Sequence, residues 1–352
     1  MNKKKKSETR TTRRRFLSSA VAAGGGLICR DALRAGEPSD EPPKAQIAIT
    51  LDLEMSRNFP VWEETRWDYE KGNLNDETKR YAVEACRRVK AAGGVLHSFA
   101  VGRVFEQQDV DWLRGIVAAG HPVGNHTYDH VNVTATRPED IQFRFRRSPW
   151  LIEGRSPADV IRENIRLASV ALKTRVGVEA AGFRTPGGFS KGLVDRADVQ
   201  RMILESGFTW ASSLYPPHAL GEPMTRPTAE VYDSIVTAGA VAQPFEYETG
   251  LVEVPMSAPS DITAFRGGRW QLEWFLEAVR RGVTWAIENR AAYDFLGHPS
   301  CLYVTDPKFR TIDMICELVR AAGNRAEIVD LSTLAKRGVG RLAPNFFPKG
   351  NS

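Results

Sequence analysis

From residue 47 to residue 331, short apolar runs alternate with stretches of helical periodicity, and this alternation narrows the architecture more than any other feature of the chain. Runs at 47–53, 95–101, 122–126, 180–183, 208–210, 251–254 and 293–296 predict strands, and 326–331 closes the series. Apolar spacing at 76–92, 110–119, 157–172, 199–206, 272–288 and 311–321 predicts helices, the third opened by Ser156 as cap with Pro157 in the first turn. Strands that are each followed by a helix pair in parallel, so the expectation is a single α/β domain. No internal repeat and no break in composition divides it.

Polar residues then fall where such folds place chemistry. Asp52 and Glu54 end the first strand, His126 ends another, Arg184 follows the run at 180–183, and His298 follows the run at 293–296. Carboxyl ends of parallel strands share one mouth. Asp52 and Glu54 are two apart, which on a strand puts both carboxylates on one face with Cα atoms roughly 6.6 Å apart. His126 and His130 are i and i+4, which in helix or turn geometry brings both imidazoles to one side. Two histidines and one carboxylate suit a divalent metal with positions left open. An HxxxH pair alone is a weak signal, because helix faces often carry histidines. Joined to Asp52-Leu53-Glu54, Arg184-Thr185-Pro186-Gly187-Gly188 and Leu296-Gly297-His298-Pro299, in that order, it becomes specific.

That order resembles carbohydrate esterase family 4, the polysaccharide deacetylases related to the nodulation chitooligosaccharide deacetylase. The likeness runs from Ala45 to Leu334. The segment from Gly120 to His130 resembles the family's second motif, Arg184 to Gly188 its third, and Leu296 to Pro299 its fifth. The resemblance implies a distorted (β/α) barrel of about seven parallel strands and metal-assisted removal of an acetyl group from an N-acetylated sugar. The usual first motif has adjacent aspartates, whereas Asp52 and Glu54 are spaced by one, as in a branch holding some peptidoglycan deacetylases and allantoinase-like enzymes. By similarity to that branch Asp52 is the base and Glu54 the metal ligand with His126 and His130, the exchanged roles of the two acids staying open. Zinc is the favoured ion for this set, and cobalt, nickel or iron accept the same ligands.

Amide hydrolysis needs an activated water, an electrophile, an oxyanion donor and an acid for the leaving amine. Arg184 is expected to orient Asp52, Gly187 to lend its backbone N–H to the oxyanion, and His298 to protonate the amine. Thr185, Pro186 and Trp62 are candidate substrate contacts, Trp62 lying in an aromatic excursion after the first strand. His97, His121 and His218 lack motif context and are read as core, turn or loop residues. The fourth motif is incomplete, with Ala211 where relatives commonly carry Asp. Glu253, on a neighbouring predicted strand, is a candidate replacement partner for His298, against the commoner reading of a strand Glu as a solvated edge residue.

Charge assigns the ends. The formal charge of +5 invites a nucleic-acid reading, but ten Lys/Arg stand in the first 35 residues against Glu8 and Asp31, and the remainder is slightly acidic. No nucleic-acid partner is expected. Thr12-Arg13-Arg14-Arg15-Phe16-Leu17, a weakly apolar Ala/Gly stretch and Leu33-Arg34-Ala35 resemble a twin-arginine signal. Residues 1–35 are therefore read as a signal engaging the twin-arginine export machinery, 36–44 as a linker, 45–340 as the deacetylase domain and 341–352 as a tail. The uncharged run at 16–29 falls short of the roughly 20 residues that span a bilayer, so no transmembrane helix is expected in the mature chain. Cys86, Cys301 and Cys316 give no disulfide framework. The expected protein is an exported, periplasmic or secreted glycan deacetylase. A cyclic amide or ureide hydrolase on the same site and a carbohydrate-binding protein whose catalysis has lapsed are the rivals.

Overall fold

The computed structural model describes residues 42–55 and 71–343. The expected leader and most of the linker and tail lie outside these residues, as does Trp62. Among the described residues no helix is long and apolar enough to cross a membrane.

The strands are β1 (Ala45–Leu53), β2 (Leu96–Ala100), β3 (Val123–Asn125), β4 (Phe183–Phe189), β5 (Trp210–Leu214), β6 (Phe245–Glu246), β7 (Val252–Glu253), β8 (Ala292–Gly297) and β9 (Ala326–Ile328). They form one curled sheet in the order β6-β7-β5-β4-β3-β2-β1-β8, with β9 paired to the start of β1. Every pairing is parallel except the short β6–β7 hairpin, an antiparallel edge that the repeating strand–helix pattern does not announce. Just after β7, Ser257 makes a parallel bridge to Phe295 of β8, with its N–H donating to the Asp294 carbonyl at 3.0 Å. That contact draws the two sides of the curled sheet together, as the expected (β/α) barrel architecture requires.

The longer helices are α1 (Asp76–Ala91), α2 (Asp111–Ala118), α3 (Pro157–Val176), α4 (Ala197–Glu205), α5 (Ala229–Val241), α6 (Leu272–Glu288), α7 (Pro299–Thr305) and α8 (Arg310–Ala322). Caps start α1 and α3 where side chains can accept orphan N–H groups: Asn75 Oδ1 accepts from Thr78 and Ser156 Oγ from Asp159. α5 escapes the sequence reading because its apolar residues, Val231, Ile235, Val236, Ala240 and Val241 among them, are spread round the helix and mark no single stripe. The main core packs Ile47, Ile49, Leu51 and Leu53 of β1 against α1, α6 and α8. β1 is buried along nearly its whole length, so the acids at its end sit at the centre of the molecule.

Two strand boundaries differ from expectation. β4 starts at Phe183 and continues to Phe189, so Arg184 lies within the strand and not after it. Ahead of it Gly182 has φ +87°, and a Cβ there would lie 1.9 Å from the Trp210 ring, so only glycine lets the chain pass that ring. β5 likewise starts at Trp210 and ends at Leu214.

Candidate active site

At the end of β1 the chain bends: the Glu54 N–H donates to the Asp52 carbonyl at 3.0 Å, and Ser300 Oγ holds the Glu54 carbonyl at 2.7 Å. The two acids therefore are not alternate residues of a regular strand. Both side chains still line one cavity of about 370 Å³.

The two histidines come together without a helix. Asn125, at the end of β3, accepts from the Thr127 N–H and donates to the Ile165 carbonyl and Ser169 Oγ of α3. Thr127 and His130 both take left-handed φ angles, 56° and 57°, and Thr127 Oγ1 accepts from the Val131 N–H. Asp129, ion-paired with Arg103 and Arg144, pins the turn from outside. This folded-back loop, and not i,i+4 helix geometry, sets the imidazole rings 5.0 Å apart.

Glu54, His126 and His130 form a possible three-residue metal site whose ligand atoms all lie within 4.8 Å of one another. The donor chemistry fits a divalent ion. His126 Nδ1 sits 3.0 Å from the Arg184 carbonyl, which takes the N–H and leaves the Nε2 lone pair for a metal. His126 Nε2 is buried and has no hydrogen-bond partner among the described residues, as an atom reserved for an ion would be. His130 Nε2 approaches Glu54 Oε2 to 2.7 Å. Burial opposes the charge on Glu54, but His130, Lys71 and His126 outweigh it and hold the carboxyl well below its usual range. Burial also lowers both histidines, His126 to about 4, so both are neutral and able to ligate at pH 7.

Asp52 stands beside this triad. Its Oδ2 lies 3.7 Å from His126 Nε2 and 3.9 Å from His298 Nε2, while Oδ1 accepts from Arg184 Nη1 at 3.1 Å. Arg184 is completely buried, with its guanidinium 4.4 Å from the centre of the Phe99 ring. Its Nη1 also donates to Thr50 Oγ1 and its Nη2 to Asp294 Oδ2, so the cation is shared between two carboxylates. Burial pushes the Asp294 carboxyl up to about 6, with Arg184 and Thr50 opposing.

His298 follows β8 and faces the same cavity. Its Nδ1 pairs with Asp261 Oδ1 at 2.8 Å, and Asp261 Oδ2 accepts the His298 backbone N–H. Burial lowers a histidine, but here Asp261 outweighs it, with help from Asp52 and Glu54, and the pKa is raised. Glu253 is therefore not the partner of His298. It is fully buried and accepts from the Ser213 and Leu214 N–H groups, Ser213 Oγ and Tyr247 OH. Neither is it a solvated edge residue. Ala211 lies buried in an apolar cluster with Phe183 and Phe208, away from any acid's role.

Of the other expected residues, Thr185 and Gly187 line the cavity, while Pro186 is buried in β4 and is not among the lining residues. Gly187 has φ +80° with open space where a side chain would stand, and a Cβ on Gly188 would lie 2.4 Å from that of Tyr215. His97 and His121 are buried core residues, and His218 sits in the loop after β5. The sequence reading missed Lys71, Asp261, Asp294, Tyr215 and Arg266. Asp294 alone left a signal, an acid inside the apolar run Ala292–Gly297, because a charge on a buried strand requires a partner.

A Glu54, His126 and His130 donor set able to hold a metal, flanked by Asp52 and His298 at the carboxyl mouth of a curled parallel sheet, makes the chain a candidate hydrolase of the (β/α) barrel class. Residues 73–202 match the model of the polysaccharide deacetylase family, which supports a polysaccharide deacetylase domain here. The matched stretch contains His126, His130, Arg184 and Gly187 but stops short of Asp52, Glu54 and His298. No curated protein matches in sequence. In structure the chain is similar to a Mycobacterium smegmatis protein assigned as a polysaccharide deacetylase, at TM-score 0.58 and 16% identity over 90% of this chain and 98% of that one. It is also similar to PuuE allantoinase, at TM-score 0.54 and 13% identity over 84% of this chain and 93% of the other. At these identities the two likenesses establish the fold.

Proposed function

We propose that this chain is an exported, metal-dependent deacetylase that removes N-acetyl groups from a glycan of the peptidoglycan or chitooligosaccharide type. The observation that carries the reading is the meeting of Asp52 and His298 within 4 Å of the Glu54, His126 and His130 donor set. Glu54, His126 and His130 would hold the ion, and zinc suits two imidazoles with one carboxylate. When bound, the ion supplies an electrophile for the amide carbonyl and a more acidic water.

The chain's own groups do the rest. Asp52 Oδ2, turned toward the cavity, takes the proton of the attacking water while Arg184 fixes Oδ1. The Gly187 N–H is offered to the oxyanion, and the missing side chain lets the acyl group approach. His298 delivers a proton from Nε2 to the departing amine, and Asp261 holds Nδ1 so that Nε2 faces the cavity. Thr185 and Tyr215 line the cavity beside these groups and are the substrate contacts. Export is supported by the twin-arginine-like leader at Arg13-Arg14-Arg15-Phe16-Leu17, and an exported enzyme would meet cell-wall glycans.

The test is acetate release by the purified, zinc-loaded full chain, offered a panel of N-acetylated glycans alongside cyclic amides and ureides. Acetate from the glycans is the expected result. Ring opening alone transfers the site to cyclic amides, and glycan binding without turnover makes the chain a lapsed enzyme.

A further inference from the structure

We infer that Lys71 competes with a divalent ion for Glu54: its ammonium pairs with that carboxylate and must be displaced when the ion is loaded. The inference rests on the metal-site reading above. Lys71 is held close to the bend after β1 because its carbonyl accepts the Met55 N–H at 2.9 Å. Its Nζ lies 2.5 Å from Glu54 Oε1, with both side chains less than a tenth exposed. The two oxygens of Glu54 are thus divided. Oε1 faces Lys71, with His298 Nε2 at 3.7 Å, while Oε2 faces the two histidines.

A divalent ion entering between Glu54, His126 and His130 meets a carboxylate whose charge is already neutralised. It also meets a like charge a few ångströms away in a low-dielectric setting, where repulsion is far stronger than in water. Lys71 therefore lowers metal affinity. The flexible stem of a lysine allows the ammonium to swing into the cavity it already lines once an ion takes its place.

The experiment is calorimetric zinc titration of the full, metal-stripped chain at one fixed pH, comparing wild type with Lys71→Met, Lys71→Arg and His130→Ala. Lys71→Met, equal in length and uncharged, should bind zinc about tenfold or more tightly, whereas Lys71→Arg keeps the charge and the weaker binding. Equal or weaker binding by Lys71→Met overturns the inference. If His130→Ala abolishes binding while Lys71→Met matches wild type, the metal site stands and the competition alone is wrong. If no form of the chain binds zinc, both fall. A second measurement needs no variant: zinc should raise the labelling of Lys71 by an amine-reactive probe in the unmutated chain, read by mass spectrometry. Unchanged or reduced labelling overturns the displacement.

Discussion

His298 Nδ1 lies 2.8 Å from Asp261 Oδ1, and Asp261 sits in the segment after β7, well away in sequence from the histidine it serves. Its carboxylate favours the imidazolium and so raises the His298 pKa against the opposing effect of burial. In Asp261→Asn that support is gone and the pKa falls. An acid must be protonated to act, so the alkaline limb of kcat/KM against pH should move to lower pH. The same shift touches stability. A histidine raised on folding stabilises the native state fully below its unfolded pKa of about 6.5, and that contribution is lost as pH rises through the higher folded value. Asp261→Asn should therefore lose stability most in acid, which urea unfolding at pH 5.5 and pH 8.5 measures. An unmoved alkaline limb would remove His298 from the role of general acid.

Metal content should be about one divalent ion per chain, and it should vanish when His126 or His130 becomes Ala. Three ligands leave none redundant, and His126 Nε2 has no other hydrogen-bond partner among the described residues. Elemental analysis after dialysis against trace zinc decides it. Full occupancy in either variant would contradict the ligand set.

Asp52→Asn should keep the ion and lose turnover by about two to four orders of magnitude, the scale of a lost general base. Asp52 touches the triad only at 3.7 Å, whereas Glu54 meets His130 at 2.7 Å. Loss of metal in Asp52→Asn with retention in Glu54→Gln would exchange the two roles.

The legible part of the site was the part written in short motifs. His126, His130 and His298 follow strand ends, so strand periodicity together with the motifs brought them to one mouth, while Arg184, named by its motif, lies inside β4 near its start. The partners of those residues were not legible. Asp261 arrives through an irregular stretch ending in a π-helical turn, Ile262–Gly267, that carries no periodic signal, and Lys71 follows a segment outside the described residues. Ala211 misled for the same reason. A gap in a motif was read as a missing charge, but the structure supplies that charge from a different strand connection. Glu253, read as a solvated edge or as the replacement, spends its carboxylate on two backbone N–H groups and two hydroxyls that tie β5 to β7.

Export predicts that the precursor is cleaved near Ala35 and that replacing Arg13 and Arg14 together by Lys holds it in the cytoplasm. Fractionation with an antibody against the folded domain reads both outcomes. Normal export of the double variant would refute a twin-arginine route.

The last prediction concerns the ion pair beneath the site. Arg184 is fully buried and meets Asp294 through Nη2, Asp52 through Nη1 and Thr50 beside it. Asp294→Ala leaves half of a buried guanidinium without its acceptor, a change that costs about 3–5 kcal/mol where a buried pair loses one member. Arg184→Met should cost more, because it strands two buried carboxylates at once. Adding Asp294→Leu to Arg184→Met should then recover stability, since one of the stranded charges is removed and an apolar pair of similar volume fills the space. Urea unfolding of Arg184→Met, Asp294→Leu and the double variant gives the coupling energy. If Arg184→Met combined with Asp294→Leu is no more stable than Arg184→Met alone, the cost of Arg184→Met does not come from stranding Asp294. If Asp294→Ala costs less than about 1 kcal/mol, Asp52 and Thr50 are sufficient to hold Arg184, and Asp294 is not needed to aim the guanidinium at the base.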